Sequence, residues 1–371
     1  MNDVPRVRCL GREGAFQPTI HDKMSGVVNT VRNTIVENLG GTHGIAAKAN
    51  QFALADVPDQ SQKVAVISGG SRGIGYACAH TLLQKNIEKL YVIGSTQESI
   101  DGASSDIEST LGASTLAKVK FFQADLGDWK SIPGIVKQIT DSTDRLDILI
   151  NCAARGIMTY QLTEYGVDRH MAVNHMGHVI FTSHLLPLIK STAKKHPEEK
   201  VRIVTFGSNA HQGAPGDTKF ANLEELNQDY GPNGQYGRSK LAQMLYAKYL
   251  YNHLKDKYPN ILANTVHPGF VETKQSVEDI HEPYPILGYG MSVGMKPFKK
   301  SQWEGAVPAM FCATKTEQGG QYVCPPAIPE AGSSQFQDES GELTENLMRL
   351  TLELVGEKVD PKSQGCPMQL Y

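Results

Sequence analysis

A phenol and an amine four residues apart open the stretch QYGRSKLAQMLYAKYL, residues 235–250. On a helix, residues at this spacing stand one above the other on the same face, so Tyr236 and Lys240 point together at whatever that face overlooks. Two chemistries suit such a pair. One is an ordinary aromatic–cation contact on a solvated helix. The other is a phenol whose proton a fixed ammonium makes easier to remove. At about 4 Å and an effective dielectric near 20, that interaction is worth about 4 kcal/mol. It brings the phenol toward neutral pH, where one group serves as acid in one direction and base in the other. The pair alone does not choose between them.

The elements that would position the pair begin at Lys63. Short apolar runs follow in succession: KVAVIS (63–68), KLYVIGS (89–95), VKFFQAD (119–125), LDILIN (146–151), VRIVTFGS (201–208) and ILANTVHP (261–268). Longer stretches between them read as helices. Near-continuous apolar strands alternating with helices imply a parallel sheet covered on both faces, an α/β doubly wound fold. In such folds ligands bind beyond the carboxyl ends of the strands. After the first run comes SGGSRGIGYA, with Gly69, Gly70, Gly73 and Gly75 leading into a helix. Glycines there allow a tight turn and let backbone N–H groups approach a diphosphate, although the spacing is not G-x-G-x-x-G. The second run ends in Gly94, Ser95, Thr96 and Gln97, with no carboxylate to hold a ribose 2′-hydroxyl. Small polar groups and the guanidinium of Arg72 suit a 2′-phosphate instead, so NADP(H) is expected over NAD(H).

Taken in order, these motifs resemble those of the short-chain dehydrogenases/reductases over about Lys63 to Pro326, and within them the retinol-dehydrogenase and protochlorophyllide-reductase-like branch. SGGSRGIG is similar to the TGxxxGxG turn, with Ser68 in place of threonine. ADL carries Asp125 and Leu126, NCAA (151–154) stands where NNAG is usual, and VNHMGHVIFT supplies Asn174. IVTFGSNAH supplies Ser208, YGRSK supplies Tyr236 and Lys240, and HPGFVET supplies Pro268, Gly269 and Thr273. Cys152 and Ala154 depart from the pattern beside the cofactor. The resemblance implies a Rossmann-type domain and an NAD(P)-dependent oxidoreductase. Tyr236 would be its acid–base, Ser208 would hold the substrate oxygen, Lys240 would tune the tyrosine and bond the nicotinamide ribose, and Asn174 would hold a relay water. The implied cofactor contacts are Ser68, Gly69, Ser71, Arg72, Gly73, Ile74, Gly75, Ser95, Asp125, Leu126, Asn151, Tyr236, Lys240, Pro268, Gly269 and Thr273. Homo-oligomerisation is implied as well. His211 reads as a solvated loop histidine outside this set.

Composition narrows the rest. The chain has 371 residues, 40% hydrophobic and 20% charged, with a net charge of −3, so no basic field suits nucleic acid. No apolar run approaches the roughly 18–20 residues that cross a bilayer, and the start lacks a secretory hydrophobic stretch. Six scattered cysteines without a C-x-x-C pair suit reduced thiols and no metal site. A cytoplasmic protein is expected. Residues 1–60 read as an extension with one amphipathic helix over 24–39, residues 61–330 as the catalytic domain, and residues 331–371 as a tail. In the tail Leu343, Leu347, Leu350 and Leu354 form one helical stripe, with Ser340 as N-cap and Gly356 as stop. The segments 209–234 and 276–300 would shape specificity; the apolar and Gly/Pro content of the second favours a hydrophobic small molecule. Besides carbonyl–alcohol interconversion, two alternatives fit: carbon–carbon double-bond reduction, and a non-catalytic dinucleotide sensor or scaffold.

Overall fold

All six apolar runs form strands. The computed structural model describes residues 51–271 and 300–358; the 24–39 helix, Thr273 and most of the 276–300 segment lie outside the described residues. The strands are β1 (Val64–Ser68), β2 (Lys89–Gly94), β3 (Val119–Gln123), β4 (Ile148–Asn151), β5 (Val201–Phe206) and β6 (Ile261–Val266). Most end before their apolar run does, because the last residues leave the sheet to form the loops that carry the polar groups. Two short strands, β7 (Tyr322–Cys324) and β8 (Ile328–Glu330), complete the sheet. At three residues each they are too brief to show a pattern in the sequence.

The sheet order is β3-β2-β1-β4-β5-β6-β7-β8, parallel throughout except for the antiparallel β7–β8 pair. Strand order reverses between β1 and β4, which opens a crevice at their carboxyl ends. Helices α1 (Gly73–Gln84), α2 (Gln97–Leu111) and α6 (Gln302–Thr314) cover one face. Helices α3 (Ile132–Thr140), α4 (Gly177–Lys195) and α5 (Gly231–Leu254) cover the other. Each face has its own apolar core, which is why β1, β2, β4, β5 and β6 are nearly unbroken runs of buried residues, whereas the edge strand β3 buries only Phe122.

Helix α4 is entered through a π-type turn, Met171–Met176, that contains Asn174. Such turns interrupt regular hydrogen bonding and re-aim side chains. Gly177 follows it because nothing larger fits: a Cβ there would lie 2.2 Å from the Leu126 carbonyl oxygen.

Helix α7 (Glu342–Lys358) bears the expected leucine stripe, and Leu347, Leu350 and Leu354 are buried against the body. Its ends differ from the sequence reading. Asp338 caps it, accepting from the N–H groups of Leu343 at 3.2 Å and Thr344 at 2.8 Å, whereas Ser340 Oγ accepts only from Glu342 N at 3.3 Å. A carboxylate offers two acceptors to the orphan N–H groups of a helix start, and so outcompetes a hydroxyl. Gly356 lies inside the helix, which runs on to Lys358.

Candidate active site

The glycine turn is built by close approach. Gly69 has φ +68°, and a Cβ on it would fall 2.8 Å from the Ala153 backbone; one on Gly75 would fall 2.2 Å from the Gly69 carbonyl oxygen. Only bare backbone packs this way. Gly73 opens α1 with Arg72 at its N-cap and no side chain capping it, which sets a helix start beside the turn. Ser68 is buried, and its Oγ accepts from Cys152 N at 3.1 Å and Ala153 N at 3.2 Å, clamping the end of β1 to the end of β4. Ser71 Oγ bonds Ser99 Oγ at 2.8 Å, so its side chain joins the turn to α2. Ile74 sits beside the first turn of α6 at Gly305. Arg72 and Ser95 are exposed, and Arg72 faces no carboxylate among the described residues.

Along the crevice, Asp125 Oδ1 accepts from Gly127 N at 2.8 Å while Oδ2 lies 3.7 Å from the Arg155 guanidinium; Leu126 is buried. Asn151 is buried and donates from Nδ2 to Thr182 Oγ1 at 2.9 Å, so one of its two N–H donors is used within the protein. At the end of β6, Gly269 has φ +84° and Pro268 is partly exposed. The side chain of Lys300 lies against Gly269, and burial lowers its pKa.

Tyr236 and Lys240 lie in α5 as the spacing requires, with the Lys240 ammonium 5.7 Å from the Tyr236 ring centroid. Lys240 is buried; its Nζ donates to Phe206 O at 3.0 Å and to Gln243 Oε1 at 2.8 Å. An ammonium has three donors, and these two bonds use two of them. Burial pulls its pKa down to about 8, against a smaller opposite effect of Cys152. Burial in turn pushes the Cys152 thiol up to about 12, so it stays neutral beside the turn.

Ser208 follows β5 and caps a short 3-10 helix, Asn209–Gly213, accepting from Ala210 N at 3.1 Å. That helix packs against α5 at Gly237, where a Cβ would sit 2.6 Å from the Ala210 carbonyl oxygen. The tight contact brings the Ser208 loop beside the turn of α5 that carries Tyr236. Asn174 is a three-way clamp. It accepts from Arg155 N at 2.7 Å and donates to Arg155 O at 3.0 Å and Ser239 Oγ at 2.9 Å, tying the β4 loop to α5.

Three side chains join the site that sequence reasoning did not select. His178 is buried, with Nε2 at 2.9 Å from Ser68 Oγ and Nδ1 at 2.9 Å from Asn174 O. Two N–H groups already use the Ser68 lone pairs, so the hydroxyl proton goes to Nε2 and Nδ1–H donates to the carbonyl. Burial lowers the pKa of His178 to about 4, which keeps it neutral. Gln243, the acceptor for Lys240, stands against the same imidazole. Histidine in VNHMGH and glutamine in SKLAQ sit one helical turn from Asn174 and Lys240, and that spacing was the available signal. His211 is the third. It is buried rather than solvated, and burial lowers its pKa to about 4.

A doubly wound sheet with a glycine turn at its switch point is the architecture of a dinucleotide-binding domain. Comparison with known proteins agrees. A short chain dehydrogenase family profile matches residues 63–220. The chain is 51% identical to the mitochondrial oxidoreductase bli-4 of Neurospora crassa, over 92% of this chain and 83% of that one. It is 30% identical to a polyprenol dehydrogenase of Danio rerio, over 73% and 81%. A crystal structure of an uncharacterized protein from Mycobacterium paratuberculosis superposes with a TM-score of 0.63 at 23% identity, covering 83% of this chain and 98% of that one.

The chain belongs to the short-chain dehydrogenase/reductase family and is an NAD(P)-dependent enzyme acting on a small molecule. The cytoplasmic expectation is corrected: the Neurospora relative, alike over nearly the whole chain, is named mitochondrial, and lack of a secretory stretch does not speak to organelles. Among the described residues no helix is long and apolar enough to cross a membrane.

Proposed function

We propose that this enzyme interconverts a carbonyl and an alcohol on a hydrophobic small molecule, using NADP(H). The observation that carries the reading is the Tyr236–Lys240 pair, with a buried ammonium 5.7 Å from the phenol ring and the Ser208 loop packed beside it. The glycine turn and the open start of α1 fit a diphosphate, and exposed Arg72 with no acidic group in the Gly94–Gln97 stretch fits a 2′-phosphate. Bound there, the dinucleotide supplies or accepts the hydride.

The protein's own residues do the rest. Ser208 donates to the substrate oxygen and holds it at Tyr236. Tyr236 gives that oxygen its proton in reduction and takes it back in oxidation. Lys240, fixed by Phe206 O and Gln243, favours the phenolate electrostatically and keeps one N–H for the cofactor ribose. Asn174 fixes the β4 loop against α5, and by the family resemblance it would hold a water that links Lys240 to solvent. Asp125 and Leu126 flank the adenine. Thr273, outside the described residues, would reach the nicotinamide end. A hydrophobic substrate is supported by the apolar 276–300 segment and by the polyprenol dehydrogenase relative, whose name specifies a long apolar alcohol.

The test is a panel of apolar ketones, aldehydes and alcohols assayed with NADPH and NADH side by side, following cofactor absorbance, for the wild type and Tyr236→Phe. Turnover is expected with NADPH on carbonyls and lost in Tyr236→Phe. Turnover that survives the substitution would remove Tyr236 from the mechanism.

A further inference from the structure

We propose that His211 is a positioning residue that couples the C-terminal segment 331–358 to the backbone of Ser208. The proposal rests on the reading of Ser208 as the substrate-oxygen donor and adds what holds that serine in place.

His211 has both ring nitrogens committed. Nδ1 lies 2.6 Å from the Ser208 carbonyl oxygen, and Nε2 accepts from Ser333 N at 3.0 Å. A carbonyl only accepts and a backbone N–H only donates, so one tautomer satisfies both: Nδ1–H gives, Nε2 receives. Tyr322 and Phe336 wall the ring edge-on, with centroids 5.3 Å and 6.1 Å away. Gly332 (φ +72°) lets the chain pass this closely, since a Cβ there would meet Phe336 at 2.7 Å and His211 Nε2 at 3.3 Å.

The same segment grips the loop beyond Ser208 at two further points. Gln335 Nε2 donates to Pro215 O at 2.9 Å, and Arg349 donates to Ala221 O at 2.9 Å. Lys248 of α5 in turn donates to Phe336 O at 3.3 Å. All the loop-side anchors fall in 208–221, between the serine and the tyrosine. The tail therefore holds the wall of the site, and His211 is the link that ends on the serine itself. An aromatic filler would keep the packing of His211 but lose both directed bonds, and this separates positioning from bulk.

The experiment uses the full chain. Ser333→Pro removes the N–H that His211 accepts, at a residue whose φ of −76° suits proline; Ser333→Ala controls for the lost hydroxyl cap. His211→Phe removes both bonds, and His211→Gln restores one donor and one acceptor. On the best carbonyl of the panel with NADPH, Ser333→Pro and His211→Phe are expected to lose kcat by about 10- to 100-fold, with NADPH affinity within about twofold of wild type. His211→Gln should recover most of the loss and Ser333→Ala should show none. Backbone hydrogen exchange over 209–216 should quicken in Ser333→Pro whether or not a good substrate is found. Unchanged exchange there, or kcat within about threefold of wild type in both disruptive variants, overturns the coupling. Ser208→Ala separates the two readings: turnover lost in it but kept in the others sinks the coupling alone, whereas turnover kept in Ser208→Ala sinks the serine assignment and the coupling with it.

Discussion

Gly237 stands so close to the Ser208 loop that a methyl group on it would lie 2.6 Å from the Ala210 carbonyl oxygen. The residue after the candidate acid is thus the point where the two halves of the site touch. Gly237→Ala must push the Asn209–Gly213 turn away from α5, because backbone on both sides leaves no side chain to yield. Overpacking of this kind costs about 1–3 kcal/mol of stability, and a displacement near 1 Å costs about 100-fold in rate. The expected result is a thermal midpoint lowered by a few degrees and a much larger fall in kcat than in cofactor affinity. Equal falls in kcat and cofactor affinity would mean that the contact only supports the fold.

Lys240 and Tyr236 should separate kinetically. Tyr236→Phe removes the proton donor but leaves the ring, so turnover should fall by about 10²- to 10⁴-fold with NADPH binding nearly intact. Lys240→Met leaves Phe206 O and Gln243 Oε1 without their buried donor. It should lose both turnover and cofactor affinity, and the stability loss should be about 1–3 kcal/mol. Fluorescence titration with NADPH distinguishes the two patterns.

Cofactor choice should respond to two exposed positions. Arg72→Glu is expected to weaken NADPH binding by about 10- to 100-fold, the loss of one charge-assisted contact and the gain of a repulsion, while NADH changes little. Ser95→Asp should strengthen NADH by offering the ribose a carboxylate. Dissociation constants for both cofactors, measured at one salt concentration, decide it; a parallel shift in both would remove Arg72 from 2′-phosphate recognition.

Acid should unfold the protein early. Burial lowers the pKa of His178 and His211 to about 4 and of His175 and His267 to about 3. An unfolded chain takes up protons on these rings below about pH 6.5 while the native state does not, so stability falls as pH drops from about 6.5 toward 4 for His178 and His211 and toward 3 for His175 and His267, and is full above that window. Each ring contributes about 2 kcal/mol of loss by pH 5. Urea midpoints at pH 7.5 and pH 5 measure it, and a midpoint that does not fall would show that the four imidazoles are not buried and neutral together.

Much of this was legible because it is local. The apolar runs of the central strands are continuous, since a strand covered on both faces has no polar side to show, and the helical reading of residues 235–250 put Tyr236 and Lys240 on one face, where α5 holds them. The α7 stripe was equally plain, but its start was not. Ser340 looks like a cap in sequence, yet the Asp338 carboxylate reaches the N–H groups of Leu343 and Thr344. β7 and β8 were silent because three-residue strands carry no period. His211 misled for a related reason: a polar residue in a Gly-rich loop reads as solvated until the chain more than a hundred residues later returns to cover it.

The sequence by itself determined which groups could do chemistry and at which strand ends they would stand, because side-chain type and helical or strand period are properties of neighbours in the chain. Only the tertiary structure decided what holds them. The bond of Lys240 to Phe206 O at the end of β5, the contact of His178 with Ser68, and the grip of Ser333 on His211 all join distant segments. Buried polar groups must find a donor or acceptor wherever packing places one, and that choice is made in space rather than along the chain.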